Sequence, residues 1–123
     1  MQIEMTRVIL YVRDIARLKV FYETHFGFRA IEEIEGEWAV LLAGRIELAL
    51  HLAGKQFRGV PIAAVSSNAK LVFTVDSDLL ELRSKLEKAG VPVGAIKRYR
   101  GFASSLCDGR DPEGNVFQLS QLD

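Results

Sequence analysis

The chain has 123 residues, 49% hydrophobic and 26% charged, which suits one domain with a real core and reads as the ordinary soluble globular class. Its Lys plus Arg count of 16 equals its Asp plus Glu count of 16, so the basic stripe of a general nucleic-acid binder is not expected. Cys107 is the only cysteine, no apolar run approaches a membrane span and MQIEMTR does not read as a signal peptide, so the expectation is a cytoplasmic protein without a disulfide or membrane contact.

Val8, Leu10 and Val12 alternate with Arg7, Ile9 and Tyr11, the two-residue period of a strand. Asp14 follows as an N-cap whose carboxylate can accept the free amides of a first helical turn. Ile15, Leu18, Phe21, Tyr22 and Phe26 form an apolar stripe at helical spacing, and Gly27 supplies the left-handed stop. Three strands are then predicted, over Phe28 to Ile34, Trp38 to Ala43 and Arg45 to Leu52, with turns at Gly36 and Gly44. In the last of them Ile46, Leu48, Leu50 and Leu52 take one face, and Glu47, Ala49 and His51 the other. Ala53 to Ala69 reads as a linker, in which Phe57, Val60 and Ile62 are expected to pack.

A second copy begins at Lys70. Leu71, Phe73 and Val75 alternate with Lys70, Val72 and Thr74; Asp76, Ser77 and Asp78 compete as N-cap, with Asp78 and Glu81 spaced as a capping box. Leu79, Leu82, Leu86 and Ala89 form the stripe, and Gly90 with Pro92 stops the helix. Strands are predicted over Val91 to Arg98, Ser104 to Asp108 and Val116 to Gln121, the last two joined by the turn Asp111-Pro112-Glu113-Gly114-Asn115. One offset of 63 residues relates Arg7 to Lys70 and Gly27 to Gly90. The chain is therefore an internal duplication of a β-α-β-β-β unit.

The segment VRDIARLKVFYETHFGF and the closing DPEGNVFQL resemble the two signatures of the vicinal oxygen chelate superfamily, which includes glyoxalase I, bleomycin-resistance proteins, fosfomycin-resistance enzymes and extradiol dioxygenases. The resemblance implies an α+β fold: two tandem βαβββ modules whose mixed sheet curls around a cleft, with helices on the outer face. It reads as a single domain made of module 1–52, linker 53–69 and module 70–123. Arg7, Ile9, Tyr11, Lys70, Val72 and Thr74 would face the cleft.

Metal-using members place ligands at the start of the first strand and on the last strand of each module. The matching positions here hold Arg7, Glu47, Lys70 and Gln118. Arginine has no lone pair and stays protonated, lysine must lose a proton before it can ligate, and two cations repel a divalent ion. Glu47 and Gln118 alone are a poor transition-metal site. His51 lies four residues from Glu47, roughly 13 Å along a strand, too far for easy shared coordination. His25, at a helix end, is expected to be exposed. The expectation is no metal and no other cofactor.

Two readings of the quartet stand side by side: the four side chains neutralise one another, or Arg7 and Lys70 hold an anionic group of a ligand, which a planar guanidinium suits. Tyr11, Trp38, His51 and Tyr99 are candidate ligand walls, and Tyr99 with Arg98, Arg100 and Phe102 flanks Gly101 in a segment that could cap a cleft. For Trp38 the reading as sheet core or dimer contact comes first. Cys107 reads as a small core residue, and Ser104 and Ser105 lack the context of a nucleophile. The expected function is a metal-independent protein that binds a small, anionic molecule and self-associates as a homodimer. The alternative is a glyoxalase-like lyase or isomerase, or a dioxygenase-type enzyme with a divalent metal. In an enzyme of this kind Glu47 is the candidate base, acting without a metal, an assignment weakened by cations that stabilise its carboxylate. A third class, a protein that keeps the fold only for dimerisation, would show a sealed, salt-bridged cleft.

Overall fold

The alternation at Arg7–Val12 is a strand, β1, and its two faces differ in kind. Val12 is buried and Val8 and Leu10 are half-buried, whereas Arg7, Ile9 and Tyr11 are exposed. A computed structural model describes residues 1–59, 61 and 68–123, in two compact units, Met1–Pro61 and Ile62–Asp123.

In the first unit helix α1 (Ile15–Phe26) starts where Asp14, in extended backbone, accepts the Arg17 amide at 3.0 Å. It ends at Gly27, whose φ of 68° lets its amide return to the Glu23 carbonyl; a side chain there would be strained. The stripe residues Ile15, Leu18, Phe21 and Tyr22 are buried. They pack on β2 (Arg29–Ile34), β3 (Trp38–Ala43) and β4 (Ile46–Leu52). The sheet order is β1-β4-β3-β2, with β1 parallel to β4 and the other pairs antiparallel. A parallel pair needs a long crossover, and α1 with the β2–β3 hairpin supplies it. The register then lays out the opposite face in rows. Arg7, Glu47 and Leu42 share one row, Ile9, Ala49 and Val40 the next, and Tyr11, His51 and Trp38 the third.

A short helix, α2 (Lys55–Arg58), follows β4, inside the stretch read as linker. Phe57 is 61% exposed, so among the described residues it does not pack as expected. Val60 and Ile62 lie outside the described residues.

In the second unit β5 (Lys70–Thr74), β6 (Ser104–Arg110) and β7 (Val116–Leu122) form a sheet of order β5-β7-β6, with β5 parallel to β7 and β6 antiparallel to it. Helix α3 (Leu79–Lys88) is capped by Asp78, which accepts the Glu81 amide at 3.2 Å. Leu79 and Leu86 are buried, Leu82 is half-buried and Ala89 is exposed. The strand expected over Val91 to Arg98 is reduced to two bridges, Val93 to Gly109 and Lys97 to Leu106. Four residues on one side of this pair of bridges span three on the other, so the segment carries an extra residue and cannot hold a continuous ladder. Pro92 also lacks an amide to donate. The Asp111–Asn115 turn forms as read: Asp111 Oδ1 accepts the Glu113 and Asn115 amides, both at 2.9 Å. Gly109 lies under the ring of Phe117, which is fully buried and stacks on Phe73 with ring centroids 6.1 Å apart. Each module is thus a βαβββ unit of an α+β fold, the second with the β element after its helix cut down to bridges. Among the described residues no helix is long and apolar enough to cross a membrane.

Candidate functional site

The first unit gathers four of the predicted residues on the sheet face opposite α1. Arg7 lies directly across from Glu47, and its Nε and Nη2 both reach Glu47 Oε1 at 2.9 Å. The guanidinium also lies over the Trp38 ring, 5.4 Å from its centroid, a cation–π arrangement. Trp38 donates its Nε1–H to Glu32 Oε2 at 3.0 Å. Its ring meets that of His51 edge-on at 5.7 Å, and His51 in turn meets Tyr11 at 5.2 Å. The cation, the carboxylate and the aromatic wall therefore form one connected surface. Trp38, read from sequence as sheet core or dimer contact ahead of ligand wall, is its hub. An open pocket of about 440 Å³ lies at its end, lined by Ile34, Glu37, Trp38, His51 and Leu52.

The second unit brings Lys70 and Gln118 together through a residue the sequence reading missed. Lys70 Nζ donates to Asp108 Oδ2 at 2.7 Å, and Gln118 Nε2 donates to Asp108 Oδ1 at 3.0 Å. Burial pushes the Asp108 carboxyl up, but the hydrogen bonds from Lys70 and Gln118 and the charges of Lys70 and Lys97 outweigh it and hold the group below its usual range. Asp108 could have been found from the turn. Once Asp111–Asn115 closes the hairpin, Arg110 pairs with Val116, and Asp108 must lie across from Gln118. Tyr99 is 51% exposed and lines a small pocket of about 90 Å³ with Lys97, Leu106, Asp108 and Gln118.

The duplication is not exact at these positions. Arg7 lies opposite Glu47, but Lys70 lies opposite Val116, and Gln118 is opposite Val72, one strand period further on. Each cation nevertheless finds a carboxylate in its own unit, Glu47 for Arg7 and Asp108 for Lys70. Among the described residues no three His, Cys, Asp or Glu side chains gather as a metal site. His25, expected to be exposed, is half-buried because its ring packs against Phe21 at 4.9 Å. Cys107 is buried, and burial pushes its thiol up, away from the reactive thiolate.

The model of the Glyoxalase/Bleomycin resistance protein/Dioxygenase superfamily matches residues 4–119. No curated protein matches the chain significantly. Among solved structures, a mobile-metagenome protein of V. Pseudocholerae is similar at 28% identity and a TM-score of 0.74, covering 100% of this chain and 98% of that one. An integron cassette protein from the mobile metagenome of V. Cholerae is similar at 27% identity and a TM-score of 0.74, over 100% and 98%. The lactoylglutathione lyase from Agrobacterium tumefaciens shares the fold at 21% identity and a TM-score of 0.75, covering 96% of this chain and 92% of that one. The chain belongs to the Glyoxalase/Bleomycin resistance protein/Dioxygenase superfamily, the vicinal oxygen chelate fold.

Proposed function

We propose that this chain is a metal-independent small-molecule binding protein of the glyoxalase/bleomycin-resistance type, and that its ligand carries an anionic group received by Arg7. The observation that carries the reading is the Arg7–Glu47 pair set against Trp38. At a position where metal-using relatives hold a lone-pair donor, this chain holds a guanidinium, and the carboxylate beside it is already engaged by that guanidinium. The residues present do not fit a divalent ion. Lys70, bonded to Asp108, repeats the substitution in the second unit. Arg7 commits its Nε and Nη2 to one oxygen of Glu47 and its side chain is 36% exposed, so the remaining edge of the guanidinium is open to a carboxylate or phosphate. Tyr11, Trp38 and His51 supply a wall for the body of that ligand. Glu47 acts here as the partner that orients Arg7, not as a base.

The test is a thermal-unfolding screen of the purified chain against small carboxylates, phosphates and anionic drugs. The reading expects saturable stabilisation by at least one anion, lost in Arg7→Met. No stabilisation by any member of a broad panel would count against it, and turnover that requires added metal would favour the lyase, isomerase or dioxygenase alternative. The same reading places the protein in the cytoplasm as a homodimer without nucleic-acid or membrane partners. Sedimentation equilibrium at about the mass of one chain across micromolar concentrations would remove the dimer.

A further inference from the structure

The third row of the first unit's open face holds a histidine whose tautomer is set. His51 Nδ1 lies 2.8 Å from the Leu52 carbonyl oxygen. A carbonyl oxygen only accepts, so in the neutral imidazole Nδ1 carries the proton and Nε2 keeps the lone pair. Trp38 and Tyr11 flank the ring at 5.7 and 5.2 Å. The indole N–H of Trp38 is already given to Glu32, so the tryptophan offers the pocket only its apolar body. Ile34, 55% exposed, and Leu52 complete an apolar lining, and the pocket's 440 Å³ falls in the size range of small-molecule sites. A directed neutral acceptor beside flat, apolar side chains can select a ring by its donor, and the Glu37 carboxylate is the other polar group of the lining.

We propose that the pocket of Ile34, Trp38, His51 and Leu52 is a subsite for a neutral planar ring bearing an N–H or O–H donor, which donates to His51 Nε2. The proposal rests on the reading of this face as a ligand-binding surface, and adds the class of the ligand's body to its anionic end. Glu37, also at the pocket, offers the competing preference for a cationic ring.

Trp38 is the only tryptophan of the chain, so its fluorescence reports this pocket directly. The probes are benzimidazole, 1-methylbenzimidazole, which lacks the donor, and the cationic 1,3-dimethylbenzimidazolium, titrated into the full chain where the first two are neutral. The imidazole resonances of His51, assigned by their absence in His51→Phe, provide a second readout. The proposal expects benzimidazole to bind about fivefold tighter than its methyl derivative, the scale of one net hydrogen bond. His51→Phe, its fold checked by circular dichroism, should bind the two equally. No saturable change with either neutral ring, equal affinities in the wild type, a preference that survives His51→Phe, or tightest binding of the cation would each overturn it. Benzoate with Arg7→Met runs in parallel. Loss of the neutral-ring preference while benzoate still depends on Arg7 refutes the ring subsite alone. Retained preference with no Arg7-dependent anion binding refutes the anionic reading alone.

Discussion

Replacing Arg7 by methionine separates a structural ion pair from a ligand-binding one. The Arg7 side chain is 36% exposed and that of Glu47 29%, so the pair is partly screened by solvent and is worth about 0.2–1 kcal/mol. The guanidinium 5.4 Å from the Trp38 centroid adds about 0.5–1 kcal/mol at such exposure. Methionine keeps an apolar stem against the indole. The variant should therefore lose at most about 2 kcal/mol, readable as a shift of the urea midpoint without a change in slope. An anion bound to the same guanidinium would lose charge-assisted hydrogen bonds worth roughly 1.5–3 kcal/mol, a weakening of roughly 10- to 150-fold. The assay pairs urea unfolding of both proteins with calorimetric titration of the best anion from the screen. A stability loss well above about 3 kcal/mol would mean that the pair holds the sheet together, and unchanged affinity would mean that the anion is held elsewhere. Either result refutes the reasoning.

Further perturbations test the surroundings. The Asp108 carboxyl is held below its ordinary value of 3.8, so its stabilising contribution is present above that pH and is lost as the pH falls below it, through the folded-state value. The stability gap between wild type and Asp108→Asn should be widest at neutral pH, though small because the side chain is 46% exposed. It should close in acid, and a gap that grows on acidification would contradict the assignment. Gly109→Ala would place a Cβ 2.3 Å from Phe117 Cζ, and moving that buried ring is expected to destabilise by about 1–3 kcal/mol. An unchanged melting temperature would show that the β6–β7 hairpin yields freely.

Much of this fold was legible because local and tertiary signals agree. The Asp14 cap, the Ile15–Leu18–Phe21–Tyr22 stripe and Gly27 all point to one helix, and that helix is α1. The alternation of β1 correctly assigned its two faces, whereas in β4 Leu48, Ala49 and Leu50 are all buried, because the small Ala49 lies in the middle row between Ile9 and Val40. The segment from Val91 failed because its extra residue between bridges is set by pairing with β6, which no local period records. α2 failed because one turn is too short to show a period. Within the site, Arg7 and Glu47 were brought to one place by the resemblance, which matches both to ligand positions, and the strand register sets them directly opposite. Asp108 was not singled out, because its role depends on hairpin register and not on its neighbours in sequence. The out-of-step pairing of Lys70 with Val116 was hidden for the same reason: an offset that fits the strand and helix of the second copy need not fit its last strand.

Metal content tests the central claim most directly. The purified chain is exposed in turn to Ni, Zn, Mn and Fe(II), desalted and measured by elemental analysis. The account predicts sub-stoichiometric metal in every case, because Arg7 and Lys70 offer cations where metal-using relatives offer lone pairs. About one tightly held ion per subunit would contradict it and would put a metal-dependent lyase or dioxygenase in first place.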